Sequence, residues 1–554
     1  MDALRFAALQ NQWLALSCEQ NPINAAGLGI DAFGEALGDF QDGSVRSFHQ
    51  RSLDILRDLQ LVDLDDLPQR MRHDLLMLQA DARRQCLLHD LEPHRRAPYI
   101  YPERVGQALQ LLLGVESRPT DVTGELIVNC LEQVPGLFAS AMDNLVADDV
   151  PAEWCTMGLS SAEGLLRFLQ DNLGRLASSS GLGTSRFENA LAKAERAAGD
   201  FRSFLSDMEG SCGGSFAAGP GNMESMLEQF HLLPDVDCRV LYRFGEDKVA
   251  EYEELMHRYA EMIAPGEDWR VALEQLKDDH PAPADLLSAY QEARDAALHH
   301  ILEHQLITVP DGQECAVAET PSYLRSSIPL GVMNVTPPFA RDNFSRLLIT
   351  PIDVNGDPDN YRDHLREQNY GFIRSITFHE IYPGHHLQSV LHKRVAGPIR
   401  KKFRSPLFVE GWGLYTEDLM EETGFLDTPA LKFFQARNAL WRALRIIIDV
   451  GLHTGEMSAD EAASLLSERV GQGSHMAKGE VLRYTRHDNP TYQSCYMYGK
   501  TMIMDLREKY RKALGPAFTL RGFHDQLCAH GSPPVSLVEQ ILLTEDVNQG
   551  NRGE

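Results

Sequence analysis

Basic residues are scarce in this chain: 52 Lys and Arg stand against 80 Asp and Glu, and the formal net charge is −28 at pH 7. A nucleic-acid surface needs clustered Lys and Arg, so this balance argues against binding to nucleic acid. Long apolar runs are also lacking, because no stretch approaches the roughly 18 residues that a membrane span requires. The composition therefore predicts a protein that binds neither nucleic acid nor membrane.

Cysteine is limited to nine residues, an odd number, and they are far apart with no C-x-x-C pair. This spacing favours neither a disulfide framework nor a cysteine zinc site, so we expect reduced thiols packed in the interior. The first twenty residues lack the basic start and uninterrupted apolar core of a signal peptide. Together these features predict a cytoplasmic protein.

Apolar residues recur at helical spacing through most of the chain. In 71–91 and 160–176, for example, Leu, Met and Phe stand three and four residues apart with charges between them. A hydrophobic content of 43% is enough for a large core. The pattern predicts a mainly α, multi-helix fold. Two histidines of the N-terminal half, His89 and His94, are interpreted as ordinary surface residues.

We divide the chain into four parts. Residues 1–210 are predicted to form a helical N-terminal region on one side of a cleft, and residues 211–245 a glycine-rich loop or boundary. Helices are expected to resume at Asp247, within a catalytic helical region over 246–545. Residues 546–554 are expected to form a flexible tail. The glycine-rich part lacks the Lys-Ser/Thr pair of a phosphate-binding loop.

Short β-branched segments lie between residues 305 and 353. The best strand candidates are 306–309, 328–335 and 347–352, which are punctuated by Pro and Gly. They predict a small β-sheet directly before the helix that carries the metal motif. An extended peptide could add to an edge strand of this sheet by β-augmentation. The alternative is a purely structural hairpin.

The segment over 379–386 reads H-E-I-Y-P-G-H-H and concentrates imidazoles and a carboxylate. On a helix, H-E-x-x-H presents two histidines to one metal ion, and its Glu can take a proton from the metal-bound water. Here Pro383 occupies the fifth position. The segment therefore predicts a metal motif, with His379 as ligand and Glu380 as base, provided that the backbone bends.

The helix that carries the motif is predicted to begin near Asp363 and to end at Pro383. Pro383 lacks the amide that would bond the carbonyl of His379, and its ring opposes that carbonyl. On a straight helix, at about 100° per residue, His386 would lie about 20° from His379 and His385 about 120° away. A bulge that absorbs two residues would instead return His385 to the second ligand position. We favour His385 as ligand, and His386 as a supporting residue or substrate contact.

A zinc site needs a third protein ligand and an open position for water. The next carboxylates follow in the helical segment over 408–417, which reads F-V-E-G-W-G-L-Y-T-E. Glu410 is our third ligand. Glu417 lies two turns along the same face and could orient a metal-binding histidine. For either Glu, an exposed position on the helix surface is the alternative.

Three polar residues recur at four-residue intervals in the helix predicted over 431–452, so Arg445, Asp449 and His453 share one face. Buried charges must pair, and the alternatives are a structural salt bridge and support for the metal site. His453 is also a candidate catalytic residue. Arg445, His453 or Lys500 could hold the terminal carboxylate of a substrate.

Tyrosines cluster after Pro490. A tyrosine hydroxyl can donate to the oxyanion that forms when a metal-activated water attacks a carbonyl. Tyr496 is the first candidate for this role and Tyr498 the second. A packed aromatic ring is the alternative for each.

Five motifs of the chain occur in the order that is typical of the DUF885 family: H-E-x-x-P-G-H-x-x-Q at 379–388, E-G-W-x-x-Y-x-E at 410–417, R-x-x-x-D-x-G-x-H at 445–453, Y-x-x-G-K at 496–500 and F-H-D at 523–525. The chain resembles this family most strongly from about residue 320 to residue 540. The family is in turn similar to gluzincin-type zinc metallopeptidases. One departure is Pro490-Thr491, which stands where Pro-Gly is expected.

The resemblance implies a large metallopeptidase-like helical fold with a small β-sheet next to the active-site helix and a deep central cleft. It also implies one zinc ion per chain. The roles that it implies are metal ligand for His379, His385 and Glu410, base for Glu380, oxyanion donor for Tyr496, and support or substrate contact for Gln388.

The sequence thus predicts a metal-dependent hydrolase that cleaves an amide bond in a short peptide or a small acylated molecule. Glu380 would accept a proton from the attacking water and deliver it to the leaving amine. One alternative is a specialised amidase acting on a small metabolite, which would use the same atoms. The other is a catalytically silent binding protein on the same fold.

Overall fold

The structure is a computed structural model, and it describes residues 2–30, 35–114, 120–174, 184–321, 325, 328, 330–352 and 358–543. The helices of the N-terminal half are α1 (Asp2–Gln20), α2 (Pro22–Gly27), α3 (Asp42–Gln60), α4 (Gln69–Asp90), α5 (Pro93–Arg96), α6 (Ile100–Leu113), α7 (Thr120–Asn144), α8 (Ala152–Arg167), α9 (Ser185–Met208), α10 (Pro220–Gln229), α11 (Cys238–Ile263), α12 (Trp269–Lys277) and α13 (Leu286–Glu303).

The strands follow as β1 (Glu314–Glu319), β2 (Gly331–Asn334) and β3 (Phe344–Ile349). The remaining helices are α14 (Pro358–Glu367), α15 (Tyr370–Glu380), α16 (His385–His392), α17 (Pro398–Lys402), α18 (Pro406–Glu422), α19 (Pro429–Thr454), α20 (Ala459–Val470), α21 (Ser474–Tyr484), α22 (Cys495–Leu514), α23 (Leu520–Cys528) and α24 (Val535–Ile541). The predicted mainly α fold with a small sheet is confirmed. Across the described residues, no helix is both long and apolar enough to cross a bilayer.

The first of two compact units comprises residues 1–222 and 482–490. Its core lies where α7 packs against α9, and the rings of Phe138 and Phe201 stack there at 4.7 Å. The short segment 482–490 is bound within this unit, because Trp154 Nε1 donates to the carbonyl of Thr485 at 2.9 Å. The fully buried aromatic side chains of the unit thus anchor a segment from the far end of the chain.

The second unit comprises residues 223–481 and 491–554. Within it α11 packs along α19, and α18 packs along α22.

The segment predicted as a glycine-rich loop, 211–245, contains two helical parts that the prediction missed. Pro220 starts α10, where Met223 and Met226 are buried. Asp237 caps α11 by accepting from the amide of Val240 at 2.7 Å, so helix resumes at Cys238 and not at Asp247.

The three strands form one sheet in the order β1-β3-β2, in which β1 runs parallel and β2 antiparallel to β3. The strand predicted over 306–309 is wrong. The carboxylate of Asp525 accepts from the backbone amide of Thr308 at 2.8 Å and from the Thr308 hydroxyl at 2.6 Å. The amide therefore bonds to a side chain and not to a neighbouring strand. The strand in that region is instead β1, which the prediction missed.

The helix that carries the metal motif begins at Tyr370, not at Asp363. Asn369 caps the start of this helix, because its side chain accepts a hydrogen bond from the amide of Phe372 at 2.9 Å. The helix start is therefore set by a cap that competes with continuation of α14. The sheet precedes the motif helix in the chain, but not directly as predicted, because α14 lies between β3 and α15.

Two glycines permit a close crossing of α18 and α22. A Cβ added at Gly411 would lie 2.5 Å from the carbonyl carbon of Gly499. A Cβ added at Gly499 would overlap the carbonyl oxygen of Leu407. Because both surfaces are bare backbone at the crossing, the two helices approach more closely than side chains would allow.

We expect Gly499→Ala to destabilise the protein by roughly 1–3 kcal/mol, because the added methyl group overpacks this crossing. Gly479→Ala is the matched control, since Gly479 is an exposed glycine of α21 and a Cβ added there would have no heavy atom within 4 Å. Its effect should be neutral or stabilising. Urea unfolding of both variants measures the difference, and equal midpoints would contradict the crossing.

Candidate metal centre

The metal motif is divided between two helices. α15 ends at Glu380, a loop spans 381–384, and α16 begins at His385. The predicted bulge in one continuous helix is therefore a full break, because Pro383 cannot supply the next helical amide. A Cβ at Gly384 would overlap the carbonyl oxygen of His379, so only glycine fits this turn.

The break brings two imidazoles together. The ring centroids of His379 and His385 lie 4.9 Å apart, with their planes nearly perpendicular. Trp412 of α18 fixes the intervening loop, because its Nε1 donates to the carbonyl of Pro383 at 3.0 Å. A side chain of α18 therefore holds the turn that sets the distance between the two rings.

His386 points elsewhere. Its Nδ1 lies 2.8 Å from the hydroxyl of Ser345, and its Nε2 lies 2.5 Å from Oε1 of Gln313. The hydroxyl of Tyr382 donates to the same oxygen at 2.6 Å. Both ring nitrogens of His386 thus have hydrogen-bond partners in and beside the sheet. His386 therefore supports the loop over 381–384.

Two carboxylates of α18 contact the two candidate histidine ligands. Oε1 of Glu417 lies 2.8 Å from Nδ1 of His379, which leaves the other ring nitrogen for a ligand. Oε2 of Glu410 lies 3.6 Å from Nε2 of His385. The hydroxyl of Tyr492 donates to the second oxygen of Glu410 at 2.6 Å. Glu417 therefore orients the ring of His379, and Tyr492 orients the carboxylate of Glu410.

These contacts keep Glu410 ionised. Burial would raise the pKa of its carboxyl group, but His385 and Tyr492 stabilise the carboxylate and lower the pKa to about 2. For His385 burial lowers the pKa of the ring, and the carboxylates of Glu410 and Glu380 more than reverse that effect. A buried carboxylate beside imidazoles is a combination of groups that occurs in zinc sites.

The residues fit a zinc ion. The ligand atoms of His379, Glu380 and His385 all lie within 4.8 Å of one another. Two ligands on a tetrahedral zinc ion stand about 3.3 Å apart, close to the 3.6 Å between His385 and Glu410. A Cβ at Gly413 would lie 2.8 Å from Nε2 of His379, so α18 presents bare backbone where the rings converge. Two nitrogens and one oxygen form a typical ligand set for a catalytic zinc site.

Asp449 and His453 lie away from this cluster. Asp449 is fully buried and accepts from the amides of Thr491 and Ser494 at 3.2 and 3.1 Å. His453 is also fully buried, with Nε2 3.9 Å from Asp449. Burial raises the pKa of Asp449 to about 7, an effect that its hydrogen bonds oppose. The pair positions the loop that leads to Tyr492, and it lies outside the candidate metal cluster.

The loop before Tyr492 contains Pro490-Thr491, where the family resemblance predicts Pro-Gly. Thr491 adopts φ +71°, in the left-handed region that favours glycine. Its hydroxyl lies 2.8 Å from Nε2 of His231, and Asp449 accepts from its amide. The surrounding contacts thus hold a β-branched residue in a conformation that glycine would adopt without cost.

The tyrosine and lysine candidates separate in the structure. Tyr496 lies near the metal cluster, and the guanidinium of Arg445 stands 4.9 Å from its ring centroid. Tyr498 instead packs its ring against Phe244 at 4.9 Å. Nζ of Lys500 lies 2.7 Å from the carboxylate of Asp418, in a buried ion pair.

Gln388 is buried on α16, one turn after His385, and makes no side-chain hydrogen bond within the described part of the chain. Nη2 of Arg445 donates to Oε2 of Glu480 at 3.3 Å. The guanidinium carbon of Arg445 also lies 4.5 Å from the ring centroid of Trp441. Arg445 thus lines the cavity at the metal cluster. Gln388 lies one turn after His385 on α16.

A cavity of about 350 Å³ opens at the metal cluster. Residues of the edge strand β2 and of α19 both line it. The lining residues are Gly331, Val332, Met333, Ile376, His379, Glu380, His385, Glu410, Arg442, Arg445 and Tyr496. Arg442 was not predicted from the sequence, although its position one helical turn before Arg445 could have indicated it. Tyr492 and Gly413 were not predicted either, because their roles depend on contacts between distant segments.

Comparisons with known proteins give a family and a fold. Residues 22–542 match a family described as a bacterial protein of unknown function (DUF885). No curated protein matches the sequence. A candidate lipoprotein of unknown function from Shewanella oneidensis is 20% identical, with a TM-score of 0.79 over 97% of this chain and 99% of that one. A candidate lipoprotein from Colwellia psychrerythraea is 16% identical, with a TM-score of 0.82 over 99% and 100%. These likenesses show a shared fold.

We expect Gly413→Ala to abolish stoichiometric zinc binding at the candidate centre. The added Cβ would lie 2.8 Å from His379 and 3.0 Å from His385, so both rings must move. The control is Glu422→Gln at the exposed end of the same helix, which should bind zinc as the wild type does. Isothermal titration of zinc into chelator-treated protein measures both. Unchanged zinc affinity in Gly413→Ala would contradict the geometry.

Proposed function

We propose that this chain, which belongs to the DUF885 family of bacterial proteins of unknown function, is a zinc-dependent hydrolase that cleaves an amide bond in a peptide or a small acylated molecule. The observation that carries the proposal is the grouping of His379, Glu380 and His385, whose ligand atoms lie within 4.8 Å of one another, with Glu410 3.6 Å from His385. All four residues line one cavity. The likeness to gluzincin-type metallopeptidases is part of this proposal.

The reaction uses residues that line the cavity. Zinc, when bound by His379, His385 and Glu410, supplies a Lewis acid and makes a water molecule more acidic. Glu380 accepts a proton from the attacking water and delivers it to the leaving amine. The hydroxyl of Tyr496 donates to the oxyanion of the tetrahedral intermediate.

Peptide substrates suit the wall formed by β2. This strand pairs with β3 along one edge, and among the described residues no strand pairs with its other edge, where an extended chain could add. Gly331 to Met333 line the cavity. Backbone hydrogen bonds along the edge would hold the substrate beside Glu380, which is binding by β-augmentation.

Two arginines that line the cavity favour a substrate with a carboxylate. Arg442 and Arg445 stand one helical turn apart on α19, and both line the cavity. Guanidinium groups bind carboxylates through two parallel hydrogen bonds. We therefore propose that the substrate presents a terminal or side-chain carboxylate to these residues. Lys500 and His453, the other residues proposed for this role, are buried beside Asp418 and Asp449.

The cytoplasmic location is part of the proposal and depends on the separated cysteines of the sequence. The description as candidate lipoproteins applies to the two similar solved structures. A small-metabolite amidase and a silent binding protein are the competing functions, and the following experiments distinguish them.

We expect Glu380→Gln to retain zinc and to lose activity by at least about 100-fold, because general acid–base catalysis typically contributes that much or more. Glu410→Gln, in contrast, should reduce zinc content, since it removes a charged ligand. Zinc analysis and turnover on an identified substrate measure the two effects separately. Full activity of Glu380→Gln would refute the assignment of the base.

A peptide library with paired free and amidated C-termini tests the substrate class. We expect faster cleavage of the free acids, and Arg442→Gln should reduce that preference by about 10-fold or more, as loss of a hydrogen bond to a charged group predicts. The control is Arg511→Gln, an exposed residue that pairs with Glu508. Hydrolysis of small acylated amines without any peptide cleavage would favour the amidase. Absence of both activities would favour the binding protein.

A further inference from the structure

Two cysteines of the first unit, far apart in the sequence, meet at the C-terminal end of α9. Cys155 lies on α8, and its thiol donates to the carbonyl oxygen of Leu205 at 3.7 Å. The thiol of Cys212 donates to the carbonyl oxygen of Met208 at 3.6 Å. Carbonyl oxygens three residues apart on a helix stand about 5 Å from each other on one side of it. Both thiols therefore occupy the same end of α9, and they contact each other.

Backbone contacts hold the segment of Cys212 in this place. The amide of Gly214 donates to the carbonyl of Val150 at 3.0 Å, in a bridge that ties the segment to the chain just before α8. A Cβ added at Gly214 would overlap the carbonyl oxygen of Asp149, so only glycine permits this approach. Cys212 also packs against the core cluster that contains Cys155. The fold of the first unit thus brings together two thiols whose spacing in the sequence predicts no pair.

The two thiols differ in their access to solvent. Cys155 is fully buried, and Cys212 is half-buried. Burial raises the pKa of both thiol groups, and that of Cys155 to about 12. The contact with Cys155 opposes this effect on the pKa of Cys212. Because the thiolate is the nucleophile, an external reagent reacts first with Cys212, and Cys155 follows.

We propose that Cys155 and Cys212 form a disulfide bond in the folded protein when a small-molecule disulfide acts as the oxidant. The thiolate of Cys212 attacks one sulfur of the oxidant, so that a mixed disulfide forms and one small thiolate leaves. The thiolate of Cys155 then attacks Sγ of Cys212 and displaces the second small thiol. In sum, two protein thiols and one small disulfide give one protein disulfide and two small thiols.

The bond joins α8 to the segment that follows α9. Where the surroundings are reducing, as in the cytoplasm proposed for this chain, both thiols stay reduced. Where they are oxidising, the disulfide closes the loop from residue 155 to residue 212. This modification site does not depend on the proposed hydrolase function.

Peptide mapping of the full chain tests the proposal. The native protein is incubated with oxidised glutathione at about pH 8, where thiolates form more readily, and the remaining thiols are then alkylated in denaturant without reduction. We expect linked peptides that contain Cys155 and Cys212, and a loss of two thiols per chain. Cys212→Ala should lose the linked peptides. The control is Cys86→Ala, which removes another buried cysteine of the first unit and should retain them.

Thermal unfolding shows whether the bond fits the fold. A disulfide across a long loop restricts the unfolded chain, so oxidation should raise the midpoint of the wild-type protein by roughly 5 °C or more. The same treatment should leave the midpoint of Cys212→Ala unchanged. The proposal is overturned if the native protein forms no linked peptides, whether or not glutathione is attached to Cys212. It is also overturned if oxidation does not raise the midpoint. Neither measurement requires zinc or catalysis, so failure of the hydrolase proposal would leave both results unaffected.

Discussion

The candidate metal centre depends on the backbone of α18 lying directly against two imidazole rings. Gly413 permits that approach, since a Cβ there would come within 3.0 Å of both His379 and His385. The same helix provides Glu417 to orient one ring and Glu410 beside the other. One helix therefore contacts both candidate histidine ligands and carries the third proposed ligand, an arrangement that would keep the geometry of the site before an ion binds.

Buried charged residues outside the metal centre hold the segments that support it. The carboxylate of Asp449 binds the amides of the loop that precedes α22, and this loop places Tyr492 against Glu410. Lys500 of α22 pairs with Asp418 of α18, next to the glycine crossing of the two helices. Breaking a buried pair leaves an uncompensated charge, so these contacts fix the register of α18 and α22. The recurrent polar residues of α19 and α22 thus act mainly through the segments that they hold.

Local chemistry made the helices and the motif predictable. Apolar spacing indicated the helices, and Pro383 required the backbone to leave helical geometry after His379. Long-range contacts were not predictable in the same way. The strand β1 has acidic ends and small alternating residues, so its partner β3 defines it more than its own composition does. The interpretation of His89 and His94 as ordinary surface residues is wrong, because His94 is buried and His89 is half-buried. Both contact side chains of α3, which neighbouring residues in sequence do not indicate.

The central claim is that His379, His385 and Glu410 bind one zinc ion. Crystals of the protein grown with zinc, measured at the zinc absorption edge, test it most directly. The account predicts an anomalous peak at about 2.0–2.2 Å from a ring nitrogen of each histidine and from a carboxylate oxygen of Glu410. An intact fold with no peak at that position, or with a peak that Glu410 and His385 do not bind, would contradict it.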